Sequence, residues 1–243
     1  MFYYLTTLSY DGTRYLGWQK TKMGPSIQDS LEQAIRQITQ ETSLPEAASR
    51  TDRGVHAEGQ VVLFSLSTSW ERASLQKALN AVLPLDIRVK TLKEAPPSFH
   101  PSVQAKGKEY HYRICLGPVQ EPHNRSYSWH FKRPLDLKKM EQGAEALLGT
   151  RDFSALANEP EENPICTLTQ ISFVPLERNR LQICLQGNRF LYKMARNLAG
   201  TLLYMGCGKL PADCIPALLA SKDRKAAGMT APAHALFLHR VDY

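Results

Sequence analysis

The chain has 243 residues, 43% of them hydrophobic, which is enough to form the core of one large domain or two small ones. Its 30 Lys and Arg against 23 Asp and Glu give a net charge of +7, a modest surplus that favours a polyanionic partner. Five scattered cysteines without a C-x-x-C pair exclude a zinc knuckle and a disulfide framework, and no run is apolar enough for a membrane span or a secretory signal. We therefore expect a cytoplasmic protein that does not enter a membrane.

The first part of the chain predicts the element order strand, helix, strand, strand, helix, strand. Strand residues alternate or are β-branched, and helix residues repeat their apolar side chains every three or four positions. The predicted elements are a strand over 2–10, a helix capped by Ser26, a short strand within 44–49, a buried strand over 61–66, a helix over 71–82 and a strand over 86–92.

A run from Ser49 to Gln60, just before the buried strand, packs ionisable groups of both signs. Asp52 lies close to Arg50 and Arg53 in sequence, so we expect nearby positive charge to keep its carboxylate ionised. Arginine side chains at these positions also suit phosphate groups. The run is either a solvated surface turn or a loop that carries a carboxylate nucleophile or base in a phosphate-binding site, and the residues alone leave both open.

A proline-rich junction at 95–101 marks the predicted boundary between a first domain, residues 1–98, and a second, residues 99–243. Apart from a short strand over 127–131, the second domain repeats the element order of the first, with one additional helix. Its predicted elements are strands over 104–116 and 127–131, a helix over 136–148, strands over 167–176 and 180–186, a helical run after Gly187 with a basic stripe, a short helix opened by Pro211 and a strand over 236–241.

This order predicts an α/β (α+β) fold. Each half is a ferredoxin-like βαββαβ unit, and the two halves would form one mixed sheet with helices on one face.

Three ordered motifs resemble those of the tRNA pseudouridine synthase A family. The first is R-T-D-x-G-V-H-A-x-G-Q-V from Arg50, the second is K-x-Y-x-Y from Lys108, and the third is F-L-x-x-M-x-R-N-x-x-G from Phe190. The resemblance covers nearly the whole chain. The residues that depart from the family pattern are Ser49 and Ala235, where the family usually has Gly, and Arg53, where it usually has Ala.

The resemblance implies the pseudouridine synthase fold, a homodimer, and the isomerisation of uridine to pseudouridine at positions 38 to 40 of the tRNA anticodon stem-loop. This reaction is redox-neutral, so neither a cofactor nor a metal is expected.

The resemblance also implies roles for individual residues. Asp52 would be the catalytic nucleophile or base, Arg196 its ion partner, and Tyr110 the ring that stacks on the uracil. Arg50 would take the place of the flipped base or hold its phosphate. We further expect His56, Lys193 and Leu236 to contribute to substrate binding, with His56 a structural or RNA-contacting residue rather than a general base.

Two rival hypotheses remain. An RNA-binding protein of the same fold without catalysis would tolerate the loss of the Asp52 carboxylate, although a lone carboxylate in an RNA groove repels phosphate. A hydrolase would use Asp52 with a second carboxylate, for which Glu58 is the nearest candidate.

Overall fold

The computed structural model describes residues 1–243, and their contacts divide the chain into two compact units. Unit 1 comprises residues 1–106 and 237–243, and unit 2 comprises residues 107–236. The division thus lies eight residues beyond the predicted boundary at 98, and the end of the chain returns to unit 1. The stretch before the division is held by that end, because Lys106 N donates to Asp242 O at 2.8 Å and the Tyr243 hydroxyl donates to Pro101 O at 2.9 Å.

Unit 1 has the predicted βαββαβ order and adds the last strand of the chain. Its elements are β1 (Phe2–Tyr10), α1 (Ile27–Thr39), β2 (Glu46–Ala47), β3 (His56–Leu66), α2 (Arg72–Val82), β4 (Ile87–Glu94) and β10 (Leu236–Asp242), which begins at the last residue of unit 2. The strand order is β4-β1-β3-β10, and β2 also pairs with β3. Because β10 runs parallel to β3 while β1 runs antiparallel to β3 and β4, the sheet is mixed.

The two helices of unit 1 begin at capping side chains. The Ser26 hydroxyl accepts the Asp29 N–H at 3.2 Å, as its pattern predicts, and the Glu71 carboxylate accepts two N–H groups of the first turn of α2. Their apolar stripes are buried, with Leu31, Ile35 and Leu75 each 0% exposed. Both helices therefore bury one face, as amphipathic helices against a sheet do.

Unit 2 carries the remaining elements. They are β5 (Gly107–Cys115), β6 (Trp129–His130), α3 (Leu137–Leu147), β7 (Gly149–Asp152), β8 (Ile165–Leu176), β9 (Arg180–Gly187), α4 (Met194–Gly206) and α5 (Ile215–Ser221). The strand order is β5-β9-β8-β7, all antiparallel, and β6 pairs parallel with β5. Both units thus combine helices with a mixed sheet, which confirms the predicted α/β class. None of the five helices could span a bilayer.

Several boundaries in unit 2 differ from the sequence prediction. The helical run expected after Gly187 begins only at Met194, and the last helix begins at Ile215 rather than near Pro211. The strand β7 was not predicted, and Leu137, the first residue of α3, is 38% exposed.

Candidate active site

The loop that carries Asp52 is held by backbone and side-chain hydrogen bonds within unit 1. The Thr51 carbonyl accepts the Trp18 N–H at 3.0 Å, and the Thr51 hydroxyl hydrogen-bonds the Tyr10 hydroxyl at 2.8 Å. On the other side, Val55 N donates to Asp52 O at 3.1 Å. This turn places Gly54 at a φ of +78°, a conformation that glycine adopts without the steric penalty of a side chain.

Gln60 holds the start of the same loop. Its side-chain amide accepts the Ser49 N–H at 3.2 Å and donates to Ser49 O at 2.6 Å, so both backbone groups of Ser49 are satisfied by one buried side chain. Gln60 is 0% exposed and also donates to the Tyr10 hydroxyl at 3.3 Å. Gln60 belongs to the first motif, but the sequence assigned it no role. Its place in that motif was the only sign in the sequence that it supports the loop.

Exposure separates the charged residues of the loop. Asp52 is half-buried, whereas Arg50 and Arg53 are exposed. The exposure of the two arginines is therefore typical of a solvated surface turn, whereas the partial burial of the aspartate is not. The loop presents one carboxylate on a rigid backbone with cationic side chains beside it in sequence, an arrangement that suits a reactive group acting on an anionic substrate.

His56 lies at the start of β3 and is enclosed, with 1% exposure. Its Nδ1 accepts the Gly12 N–H at 3.0 Å, and its ring stacks on Phe237 with the centroids 4.6 Å apart. The Asp11 carboxylate lies 3.1 Å from the same Nδ1, and the two groups form an ion pair only when the imidazole is protonated. Of the two roles left open for His56, the geometry favours the structural one.

Glu58, the second carboxylate that a hydrolase would need, is engaged elsewhere. Its Oε2 lies 2.7 Å from Nδ1 of His239, on the neighbouring strand β10. This contact gives Glu58 a partner on the neighbouring strand of unit 1.

In unit 2, Tyr110 lies on β5 and is 7% exposed. Its ring meets Phe190 edge-on, with centroids 5.0 Å apart and planes at 76°, a geometry that aromatic pairs prefer. Lys108 and Tyr112 lie on the same face of β5, because strand side chains alternate. Burial and the charge of Arg189 lower the pKa of Lys108 to about 8.

The start of α4 positions Arg196. Lys193 precedes the helix with a φ of +60°, and its carbonyl accepts the N–H groups of Arg196 and Asn197, each at 3.0 Å. Lys193 Nζ itself lies 4.6 Å from the Tyr192 ring centroid. The basic stripe expected on one helix is therefore broken, since Arg189 lies before the helix and Lys193 at its cap.

Arg196 is tied to the segment that precedes the last strand. Its Nε donates to Ala231 O at 2.7 Å, and Ala231 N donates to Arg196 O at 3.2 Å. The guanidinium is therefore held in one orientation. Leu236, at the start of β10, is 4% exposed and follows a short 3-10 turn that contains Ala235.

A buried network around Asn197 supports this helix start. The Asn197 side chain is 0% exposed and donates to Leu156 O at 2.7 Å. Arg224 donates to Asn197 Oδ1, to Thr230 Oγ1 and to Gly228 O, each at 2.8 Å. The turn over 222–225, a basic run of the sequence, thus directs its arginine inward. The signal available in the sequence was a polar Asn next to Arg196 in an otherwise apolar helix.

The structure therefore groups the expected site residues within each unit. Unit 1 holds Arg50, Asp52 and His56 on and beside one loop, and unit 2 holds Tyr110, Lys193, Arg196 and Leu236 on β5, at the start of α4 and at the start of β10.

Comparison with known proteins agrees with these motifs. The chain matches the tRNA pseudouridine synthase family over residues 7–102 and 144–243. tRNA pseudouridine synthase A 2 from Protochlamydia amoebophila (strain UWE25) is 47% identical, over 97% of this chain and 92% of that protein. tRNA pseudouridine synthase A from Thermoanaerobacter sp. (strain X514) is 40% identical, over 98% of each. A solved Cbf5-Nop10-Gar1 complex is similar with a TM-score of 0.41 and 15% identity, over 97% of this chain and 48% of that chain, which is too distant to support a conclusion.

Proposed function

Since the chain belongs to the tRNA pseudouridine synthase family, we propose that Asp52 is its catalytic carboxylate and that it acts at positions 38 to 40 of the tRNA anticodon stem-loop. The protein is an isomerase that makes pseudouridine in tRNA. The observation that carries the role of Asp52 is the loop itself. Thr51, Gln60 and Gly54 fix its backbone while the carboxylate stays half-buried.

The reaction breaks the C1′–N1 bond of the uridine, turns the uracil and joins C1′ to C5, while the C5 proton is lost and N1 regains one. Atoms and electrons balance without a cofactor. Asp52 acts either by attack on C1′ or by removal of a ribose proton, and both routes need an ionised carboxylate held in place.

Arg196 is the proposed ion partner of Asp52. The hydrogen bond from its Nε to Ala231 O orients the guanidinium plane before any ion pair forms. Forming an ion pair would therefore cost less side-chain conformational entropy. Removing two charges from water is unfavourable unless their geometry is good, so such a pair is explained by function more readily than by stability.

Binding of the substrate requires the target uridine to leave its stack, at a cost of a few kcal/mol. The Tyr110 ring, held edge-on by Phe190, would stack on the extruded uracil. Arg50 is exposed and would fill the vacated place or hold the phosphate, while Lys193 and Leu236 would border the base. His56 would keep the loop and β10 together rather than touch the substrate.

Three neighbouring target positions imply recognition of shape and backbone rather than of sequence. The family resemblance further supports a homodimer in the cytoplasm. Light scattering of the purified protein tests the dimer, and a mass equal to one chain at micromolar concentration would contradict it.

Tritium release from tRNA labelled at uracil C5 tests the role of Asp52. We expect wild-type protein to release tritium, and Asp52→Asn to bind the tRNA in a filter assay while its release rate falls by at least about 10³-fold, because the amide cannot replace the carboxylate. Glu58→Gln is the matched control and should retain release. Release by Asp52→Asn at the wild-type rate would favour the non-catalytic role of Asp52, and free uracil as the product would favour the hydrolase.

The same assay locates the target. Anticodon stem-loops with a single labelled uridine at position 38, 39 or 40 should each be substrates. Release only from uridines outside this stem-loop would overturn the proposed positions without affecting the family assignment.

A further inference from the structure

Strands β5 and β9 carry a ladder of polar side chains on the face opposite Tyr110 and Tyr112. Three cross-strand pairs form it, since Glu109 lies opposite Gln186, His111 opposite Cys184, and Arg113 opposite Gln182. Side chains two residues apart on a strand point to the same face, so these six groups share one side of the sheet of unit 2.

The centre of this ladder is buried, although it is polar. Glu109, His111 and Cys184 are 7%, 8% and 9% exposed. Glutamate is rarely buried to this extent without a strong partner. Here Glu109 Oε1 lies 2.6 Å from His111 Nε2, a short contact between a carboxylate and an imidazole.

The ligand atoms of Glu109, His111 and Cys184 all lie within 4.8 Å of one another. In a tetrahedral zinc site, donor atoms about 2.0 to 2.3 Å from the ion are ~3.3 to 3.8 Å apart. Modest side-chain adjustments would therefore bring one thiolate, one imidazole and one carboxylate around a single ion, with the fourth position left for water. We propose that Glu109, His111 and Cys184 form a binding site for Zn²⁺.

Two glutamines support the same three groups. Gln186 Nε2 donates to Glu109 Oε2 at 2.8 Å, which orients the carboxylate with Oε1 toward His111. Gln182 Nε2 donates to Cys184 Sγ at 3.3 Å, a hydrogen bond that orients the sulfur. Metal ligands in proteins are usually oriented by such outer hydrogen bonds.

The donor set selects the class of ion. A thiolate with an imidazole suits Zn²⁺ and its spectroscopic substitute Co²⁺, whereas Mg²⁺ and Ca²⁺ take oxygen ligands. The ion would bridge β5 and β9, and none of its three ligands belongs to the proposed catalytic residues. The site is therefore independent of the proposed role of Asp52.

Cobalt titration of the full chain, stripped with chelator and kept reduced, tests the site. We expect one Co²⁺ per chain with a sulfur-to-cobalt charge-transfer band, displaced by Zn²⁺. Cys184→Ser should remove the band, and Cys184→Ser and Glu109→Gln should each weaken Zn²⁺ binding by at least about 100-fold. Cys166→Ser, a buried cysteine of β8 outside the cluster, is the matched control and should keep both properties.

Thermal unfolding gives a second readout. Zn²⁺ should raise the Tm of wild type and Cys166→Ser but not of Cys184→Ser, provided that circular dichroism shows all three to be folded. Absence of stoichiometric binding by the wild type, or a charge-transfer band and Tm shift unchanged in Cys184→Ser, would overturn the proposal.

Discussion

At the scale of single residues, Lys108 is the clearest case of a group whose environment disfavours its charge. Burial and the nearby Arg189 lower its pKa from 10.5 to about 8. Below pH 8 the amine is protonated in both the folded and the unfolded chain, and folding includes the unfavourable burial of that charge. Between pH 8 and 10.5 the folded chain has lost the proton while the unfolded chain keeps it, so stability should rise with pH.

The comparison of wild type with Lys108→Met isolates this effect. We expect the wild type to gain free energy of unfolding relative to the variant between pH 8 and 10.5, by at most about 3 kcal/mol. Urea denaturation at several pH values measures it, and the exposed Lys106→Met is the control. A difference between wild type and Lys108→Met that is constant over this range would show that Lys108 keeps an ordinary pKa.

At the same scale, the sequence identified the charged groups of the site but not the residues that hold them. Asp52 and Arg196 belong to motifs with recognisable spacing. The residues that hold them come from distant parts of the chain: Trp18 and Tyr10 hydrogen-bond Thr51, next to Asp52, and Ala231 hydrogen-bonds Arg196. Hydrogen bonds across such separations leave no local pattern.

At the scale of elements, the helix α4 contains a glycine in a place where the backbone of another segment passes. A Cβ on Gly200 would collide with the Met229 carbonyl. The segment around Met229 also includes Ala231, to which Arg196 is bonded, so close packing here positions the start of the helix.

Gly200→Ala should therefore destabilise the protein by at least about 2 kcal/mol, because backbone must move to admit the methyl group. Gly143→Ala in α3 is the matched control: it gains the same helix propensity, and its close contacts are with the flexible end of the Met205 side chain rather than with backbone. We expect it to change stability by no more than about 1 kcal/mol in denaturant unfolding. Equal effects of the two substitutions would contradict this account.

Arg224 connects the turn after α5 to the start of α4 through Asn197. Arg224→Lys cannot reproduce its planar fork of donors, so we expect a loss of at least about 2 kcal/mol of stability and a lower rate of pseudouridine formation, with tRNA affinity changed less than twofold. Lys225→Arg, at the exposed neighbouring position, is the control for exchanging one cationic side chain for the other. Full stability with weakened tRNA binding in Arg224→Lys would indicate instead that this basic turn contacts phosphate.

Element prediction succeeded where local signals dominate. The strand β1 spans the predicted residues 2–10, and α1 begins after Ser26 as its capping pattern indicates. The start of α4 was placed too early because Phe190 and Arg189 continue the helical spacing, while Lys193 adopts a left-handed conformation that interrupts it. The strand β7 was missed because its four residues form a strand only by pairing with β8.

At the scale of the whole molecule, the strand with which the last strand pairs could not be predicted from the sequence. The strand itself was predicted, but its place beside β3 depends on a parallel pairing of Phe237 with His56, 181 positions apart. The βαββαβ order describes residues 2–94 correctly, whereas the rest of the chain adds the short strands β6 and β7 and the helix α5 to that order. Compactness then assigns residues 237–243 to the first unit rather than to the second.

The net charge of +7 is also a property of the whole molecule, and it predicts how tRNA binding responds to salt. Each phosphate neutralised by Lys or Arg releases condensed counterions, so the logarithm of affinity should fall linearly with the logarithm of salt concentration, with a slope of about −0.7 to −0.9 per contact. For an interface with several such contacts, affinity should fall at least about tenfold between 50 and 200 mM salt.

Filter binding with wild type and Arg53→Gln measures the slope, and if Arg53 contacts a phosphate the variant's slope should be shallower by about 1. Affinity that stays flat across this range would mean that contacts other than phosphate dominate recognition, and an unchanged slope in Arg53→Gln would place this exposed arginine outside the RNA interface.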